Sequence, residues 1–250
     1  MANTDELEKY VAQTIQNNVD GDGPSLDAVK GGREGARDVA LSYLYLGDVE
    51  EARKWAIPAA QDYLEYARFI AEGHLDPSNP TEPLRSKPWS DALTAMQLAT
   101  FGGDEDVLTA TATNVLDWAE SSFLDESRGR ENTLIIDATA CFAKLIHGGT
   151  VSPHSVSLQN YFDAMDDPTP WAIRDKQLGV VAEAIESDNP SQVSKACEKI
   201  DECHRDFDEY DSTPMRLINI HSCFCVAFAR QHGLDVDYTS DYVPDSLQTY

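Results

Sequence analysis

The stretch from Pro214 to Gly233 constrains this chain more than any other. It is apolar nearly all round, with Arg216 and Arg230 near its two ends. Thr213 suits an N-cap, Pro214 the first helical position and Gly233 a left-handed C-cap. The pattern predicts one helix over 214–232, and a helix without a polar face is a buried one. At about 1.5 Å per residue it is too short, and too interrupted by polar groups, to read as a membrane span. The amphipathic segments before it need a surface to pack on, and this helix supplies it.

Those segments are themselves helical in period. Asn3 and Glu6 make a capping box, followed by Leu7, Tyr10, Val11, Thr14 and Ile15 at helical spacing. A second helix is expected from Leu26 to Leu46, with Ala36, Val39, Ala40, Tyr43 and Leu44 on its apolar face. A third carries Trp55, Ala56, Ala59, Tyr63, Ala67 and Ile70, with Pro58 inside it as a kink candidate. Further helices are expected at 89–101, 104–123, around Leu134 to Ile146, and at 155–165. Two more start at the cap-then-proline pairs Thr169-Pro170 and Asn189-Pro190. Residues 73–88 hold four prolines and read as a long loop, and 234–250 as an irregular tail. Strand signals are nearly absent.

The joins between helices repeat a theme. Leu46-Gly47-Asp48, Phe101-Gly102-Gly103-Asp104 and Ser187-Asp188-Asn189-Pro190 each stop one helix and start another within a few residues. Such joins make antiparallel αα-hairpins. The first resembles half of a tetratricopeptide unit, but no fixed 34-residue period runs through the chain. The expected fold is all-α: one domain over 1–250, an irregular multi-helix bundle of antiparallel αα-hairpins, tetratricopeptide-like in part, with an extended tail.

Charge narrows the partners. Forty-four acidic residues against 19 basic give a net charge of −25, and lysine numbers only 8. This opposes binding to nucleic acid or to an anionic membrane. The acids run evenly from Asp5 to Asp245, a distribution that favours adaptation to high salt over one charged patch. Five cysteines, an odd number, mostly inside apolar helical patterns, fit reduced thiols in a cytoplasm. No basic leader followed by an apolar run opens the sequence, so a cytoplasmic location is expected.

Chemistry-bearing motifs are few. His221, Cys223 and Cys225 invite a metal reading, but at about 100° per residue Cys223 points away from the other two. Buried thiols are the plainer reading, and no metal or cofactor is expected. Asn18-x-Asp20-x-Asp22-Gly23 begins like a calcium loop, yet Val29 stands where the bidentate Glu belongs. There is no G-x-S-x-G, no H-E-x-x-H and no phosphate-binding glycine loop, so no catalytic residues are assigned and a non-enzyme is expected. Trp89, Tyr238 and Tyr242 are the candidate partner-binding residues, because exposed aromatics anchor interfaces. Their alternative role is to staple loop and tail to the bundle.

The carboxyl-terminal run from Met215 through Ala227-Phe228-Ala229-Arg230-Gln231-His232-Gly233-Leu234-Asp235 to Ser240-Asp241-Tyr242-Val243-Pro244 resembles the end of the bacterial immunity-49 family. Trp89 with Ala92, Leu93 and Leu98 is similar to that family's central Trp-led helix. The resemblance implies an all-helical immunity protein of a polymorphic toxin system, which binds and neutralises a cognate toxin by protein–protein contact. An acidic surface suits a basic toxin domain. A helical adaptor without a toxin partner, and a hydrolase with its site in the bundle, are the other two readings. The residues alone fix neither the toxin nor the oligomeric state.

Overall fold

The computed structural model describes residues 9, 12–13, 15–16, 32–72, 87–121, 133–206 and 213–249. Expectations for the capping box at Asn3, the calcium-like turn at 18–29 and residues 73–86 of the proline loop lie outside them. So does most of the first expected helix, of which 9, 12–13 and 15–16 are helical and Ile15 packs on the core.

The described residues form ten α-helices: α1 (Gly32–Tyr45), α2 (Val49–Ala71), α3 (Lys87–Gly102), α4 (Glu105–Ala119), α5 (Thr133–Ile146), α6 (Ser152–Asp163), α7 (Pro170–Glu186), α8 (Pro190–Arg205), α9 (Thr213–Leu217) and α10 (Ile220–Gln231). A 3₁₀ turn, Asp245–Thr249, ends the tail. The one β feature among them is an isolated bridge, Ser240 to Val243. The all-α bundle expected from the sequence is what forms.

The three repeated joins share one construction. At each, a residue in the left-handed region ends a helix: Gly47 (φ +80°), Gly103 (φ +69°) and Asp188 (φ +53°). The next residue's N–H reaches back to close the helix: Asp48 to the Tyr43 carbonyl (2.9 Å), Asp104 to Ala99 (3.0 Å), Asn189 to Ala184 (2.8 Å). The same residue's side chain opens the following helix. Asp48 Oδ1 accepts from Glu51 N, Asp104 Oδ1 from Val107 N and Asn189 Oδ1 from Gln192 N. One residue thus serves as the end of one helix and the cap of the next, which leaves little slack in the α1–α2, α3–α4 and α7–α8 hairpins.

Small residues set how close the helices come. Ala52, Ala56, Ala59 and Ala60 on α2 and Ala92, Ala95 and Ala99 on α3 are all buried, and these two helices make the most extensive contact among the described helices. At Gly102 a Cβ would lie 2.7 Å from Ile57 Cγ1, so only hydrogen fits there without a shift. Helix α2 runs unbroken through Pro58.

The predicted 214–232 helix is corrected by the structure: it breaks at Ile218-Asn219 into α9 and α10. Its burial holds, since Cys223 through Ala229 have no exposed surface. Nor is it the lone hub. Helix α5 is buried from Thr133 to Ala143, and Phe142 meets Phe224 and Phe228 edge-to-face at 4.7 and 5.5 Å between ring centres. Each such ring contributes on the order of 1.5–3 kcal/mol by burial. Helices α3 and α7 both pack on α5 and on α10, and the described buried hydrophobic residues other than Ala67 and Ile70 form one cluster.

Candidate partner-binding groove

The break at Asn219 has a cause, and it leads to a buried carboxylate, Asp201. Asn219 Oδ1 caps α10, accepting from His221 N (3.1 Å) and Ser222 N (3.4 Å). Its Nδ2 donates to Asp201 Oδ1 at 2.7 Å and to the Ile200 carbonyl at 3.3 Å. Its backbone N–H donates to the Tyr242 carbonyl (3.1 Å). A continuous helix would withdraw all of these, so the chain turns where Asn219 can reach α8 and the tail together.

Asp201 is 3% exposed. Its Oδ1 accepts from Asn219 Nδ2 and from Ser222 Oγ (2.6 Å); its Oδ2 accepts from the Tyr238 hydroxyl (2.5 Å) and from Ser240 Oγ. All four donors are neutral. Of the four other buried carboxylates among the described residues, Asp38, Asp137 and Asp175 have Arg37, His154 and Arg174 as partners. Asp201 instead has its charge spread over a ring of hydrogen bonds, the other way a buried carboxylate is stabilised. Burial, and after it the bond to Asp201, pushes the Tyr238 hydroxyl well above its ordinary pKa, so it stays a donor.

The ring of donors fixes the tail against α8. Ser240 Oγ also accepts from Tyr242 N (3.0 Å), and Ser194 Oγ donates to the Asp237 carbonyl (3.0 Å). Arg230 donates to the Val236 carbonyl (2.8 Å) and to the Leu247 carbonyl (2.5 Å). Between α8 and this pinned tail runs a groove of about 580 Å³. Glu198, Glu202, Asp237 and Asp241 line it against a single cation, Arg205, and Asp201 closes its floor. Its walls are therefore acidic and held in place from behind.

The three aromatic candidates separate here. Trp89 is fully buried, edge-to-face with Trp118 at 5.8 Å, and is a core residue rather than a surface anchor. Tyr238 is 6% exposed with its hydroxyl on Asp201, so it staples the tail. Tyr242 is half-buried, edge-on to His204 at 4.8 Å, and lines the groove. The sequence did not single out Asp201, Glu198 or Glu202. Asp201 is one of 27 aspartates, and its burial depends on donors from 18 to 39 residues away.

Cys203, His204 and His221 border one small cleft, and Cys197 meets Cys225, but each has its own role in packing. His221 Nδ1 meets Gln97 Nε2 at 2.7 Å, and Cys223 Sγ donates to the Tyr242 carbonyl at 3.6 Å. All five thiols are free. Burial pushes Cys141 and Cys223 up, and contact with Cys225, then burial, does the same to Cys197, a setting that suppresses thiolate chemistry. Among the described residues no three His, Cys, Asp or Glu side chains are grouped to hold a metal ion, and no helix is long and apolar enough to cross a membrane. Compared with protein-family models, curated proteins and solved structures, the chain has no match.

Proposed function

We propose that this chain is an immunity protein that binds and neutralises a cognate toxin by surface contact, and that the toxin domain it takes is basic. One observation carries the reading: an acid-lined groove has one wall in Tyr238, Ser240 and Tyr242, a tail tied down by hydrogen bonds that belongs to the stretch resembling the immunity-49 family. A preorganised wall loses little entropy on binding, and four carboxylates beside one guanidinium select a cationic partner. In a salt-adapted cytoplasm screening shortens charge–charge reach to about 3 Å at molar salt, so these groups act by contact rather than by long-range steering. The raised thiols and the engaged His221 support a binding role over a catalytic one.

The test is co-expression with a candidate basic toxin domain, sought among the genes that neighbour this chain's own. Growth is restored by the wild-type chain and not by Glu198→Lys/Glu202→Lys, with folding of that variant checked by circular dichroism. Absence of rescue by the wild-type chain, together with absence of binding, overturns the immunity reading. Full rescue by the variant overturns the groove.

A further inference from the structure

The acid-lined groove is continuous with a second, smaller recess. Val243 N–H donates to the Ser240 carbonyl (3.3 Å), which closes a turn with Asp241 and Tyr242 at its corner. Beside the groove, and sharing Asp241 and Tyr242 with it, lies a notch of about 220 Å³. The α1–α2 join, at Leu46 and Gly47, and Leu217 at the end of α9 supply its other walls. Ser246 Oγ donates to the Leu44 carbonyl (3.2 Å), and the Asn219 N–H to that of Tyr242 (3.1 Å). The tail side of the notch is therefore tied both to α1 and to the head of α10.

The notch differs from the groove in chemistry. Leu46, Leu217 and Pro244 give it an apolar lining, and Leu46 is 41% exposed, a large aliphatic side chain that stands in the recess rather than in the core. Asp241 and Asp245, both exposed, rim it. Its volume falls below the roughly 300–1,000 Å³ of sites that enclose a whole small molecule, and it suits a single side chain. An apolar recess inside a polar rim is also the usual anatomy of a protein interface.

We infer that the notch receives an aliphatic side chain from a basic protein segment whose neighbouring cationic residue occupies the groove, so that the segment straddles Tyr242. The inference rests on the binding role proposed above and adds what the partner presents: a cation–aliphatic pair rather than positive charge alone. Charge complementarity selects the flanks of that segment, because acidic neighbours of the aliphatic residue would face Asp241 and Asp245. The aliphatic member also supplies what the groove lacks. Charge contacts weaken as salt rises, whereas apolar burial against Leu46 does not.

The experiment is an amide NMR titration of the full chain with N-acetyl-Arg-Leu-Arg amide, N-acetyl-Arg-Ser-Arg amide and N-acetyl-Gly-Leu-Gly amide. The first two carry the same charge, so diffuse attraction to an acidic protein is equal for both. Saturable shifts at Leu46, Gly47 and Tyr242 are expected for the Arg-Leu-Arg peptide, with each of the others at least about tenfold weaker. Leu46→Ser, with folding checked by circular dichroism, weakens the Arg-Leu-Arg peptide by about tenfold and leaves the Arg-Ser-Arg peptide unchanged. Glu198→Gln weakens both arginine peptides by the same factor. Equal binding of the Leu and Ser peptides, equal binding of the neutral peptide, or no saturation by the Arg-Leu-Arg peptide overturns the inference on the wild-type chain alone; so does an equal loss of both arginine peptides in Leu46→Ser. If the Arg-Ser-Arg peptide still responds to Glu198→Gln in those cases, the notch fails and the groove stands. Binding of the Arg-Leu-Arg peptide that depends on Leu46 but not on Glu198 overturns the paired reading from the groove's side.

Discussion

Replacing Asp201 with alanine tests the construction of the groove. Four neutral donors lose their acceptor at once. Asn219 and Ser222 are 1% and 0% exposed, so only water entering the space that Asp201 vacates at the groove floor can replace the carboxylate for them. Hydrogen bonds to a charged group contribute about 1.5–3 kcal/mol each, and a stranded buried donor costs about 1–3 kcal/mol. Tyr238 and Ser240 border the groove and regain part of their loss from solvent. The change also removes the cost of burying a charge, so the expected net loss is about 3–5 kcal/mol rather than the full sum. Asp201→Asn keeps one acceptor oxygen but turns an NH₂ toward two donors, and loses about 2 kcal/mol. Urea denaturation followed by circular dichroism reads both values. A double-mutant cycle isolates the contact: Tyr238→Phe costs about 1.5–3 kcal/mol in the wild type and close to nothing once Asp201 is alanine. A loss below about 1 kcal/mol for Asp201→Ala, or an equal cost of Tyr238→Phe in both backgrounds, refutes the hub.

The other predictions concern packing, protons and salt. Gly102→Ala gains helix propensity but drives a methyl to 2.7 Å from Ile57 Cγ1, and a net loss of about 1 kcal/mol is expected; Gly179→Ala meets only the mobile end of Leu158 at 3.0 Å and is about neutral. Equal urea midpoints for the two variants would show that α2 and α3 do not pack this closely. His221 and His204 have their pKa lowered by burial. Above about pH 6.5 both rings are neutral folded or unfolded; below it the unfolded chain takes up protons that the folded chain resists, so stability falls by up to about 1.4 kcal/mol per pH unit for each ring until its folded pKa is reached. Between pH 7.5 and 5.5 His221→Asn, which keeps a hydrogen-bonding atom for Gln97, loses about 1 kcal/mol less than the wild type; parallel losses contradict a neutral buried ring. Salt adaptation predicts a melting temperature that climbs as salt is raised toward molar concentration, and a flat curve counts against it.

The parts of the fold that the sequence makes legible are those decided within a few residues. Gly47-Asp48, Gly103-Asp104 and Asp188-Asn189 announce their joins because a left-handed residue and a cap are local requirements. The burial of 222–229 follows from its lack of a polar face. The split at Asn219 was hidden because its gain lies in Asp201 and the Tyr242 carbonyl, both distant in sequence. The same holds for the groove, whose carboxylates look like the rest of an acidic surface until the tail folds beside α8. Trp89 misleads for a related reason: its place after a proline-rich stretch reads as exposed, whereas the first turn of α3 is inserted in the core.

The most direct measurement of the central claim is a calorimetric titration of the purified chain with the purified toxin domain proposed as its partner, repeated with Glu198→Lys/Glu202→Lys. The account predicts a stoichiometric complex in which the toxin is inactive, and an affinity lower by at least about tenfold for the folded variant. No complex with the wild-type chain, or equal affinity for both chains, would contradict it.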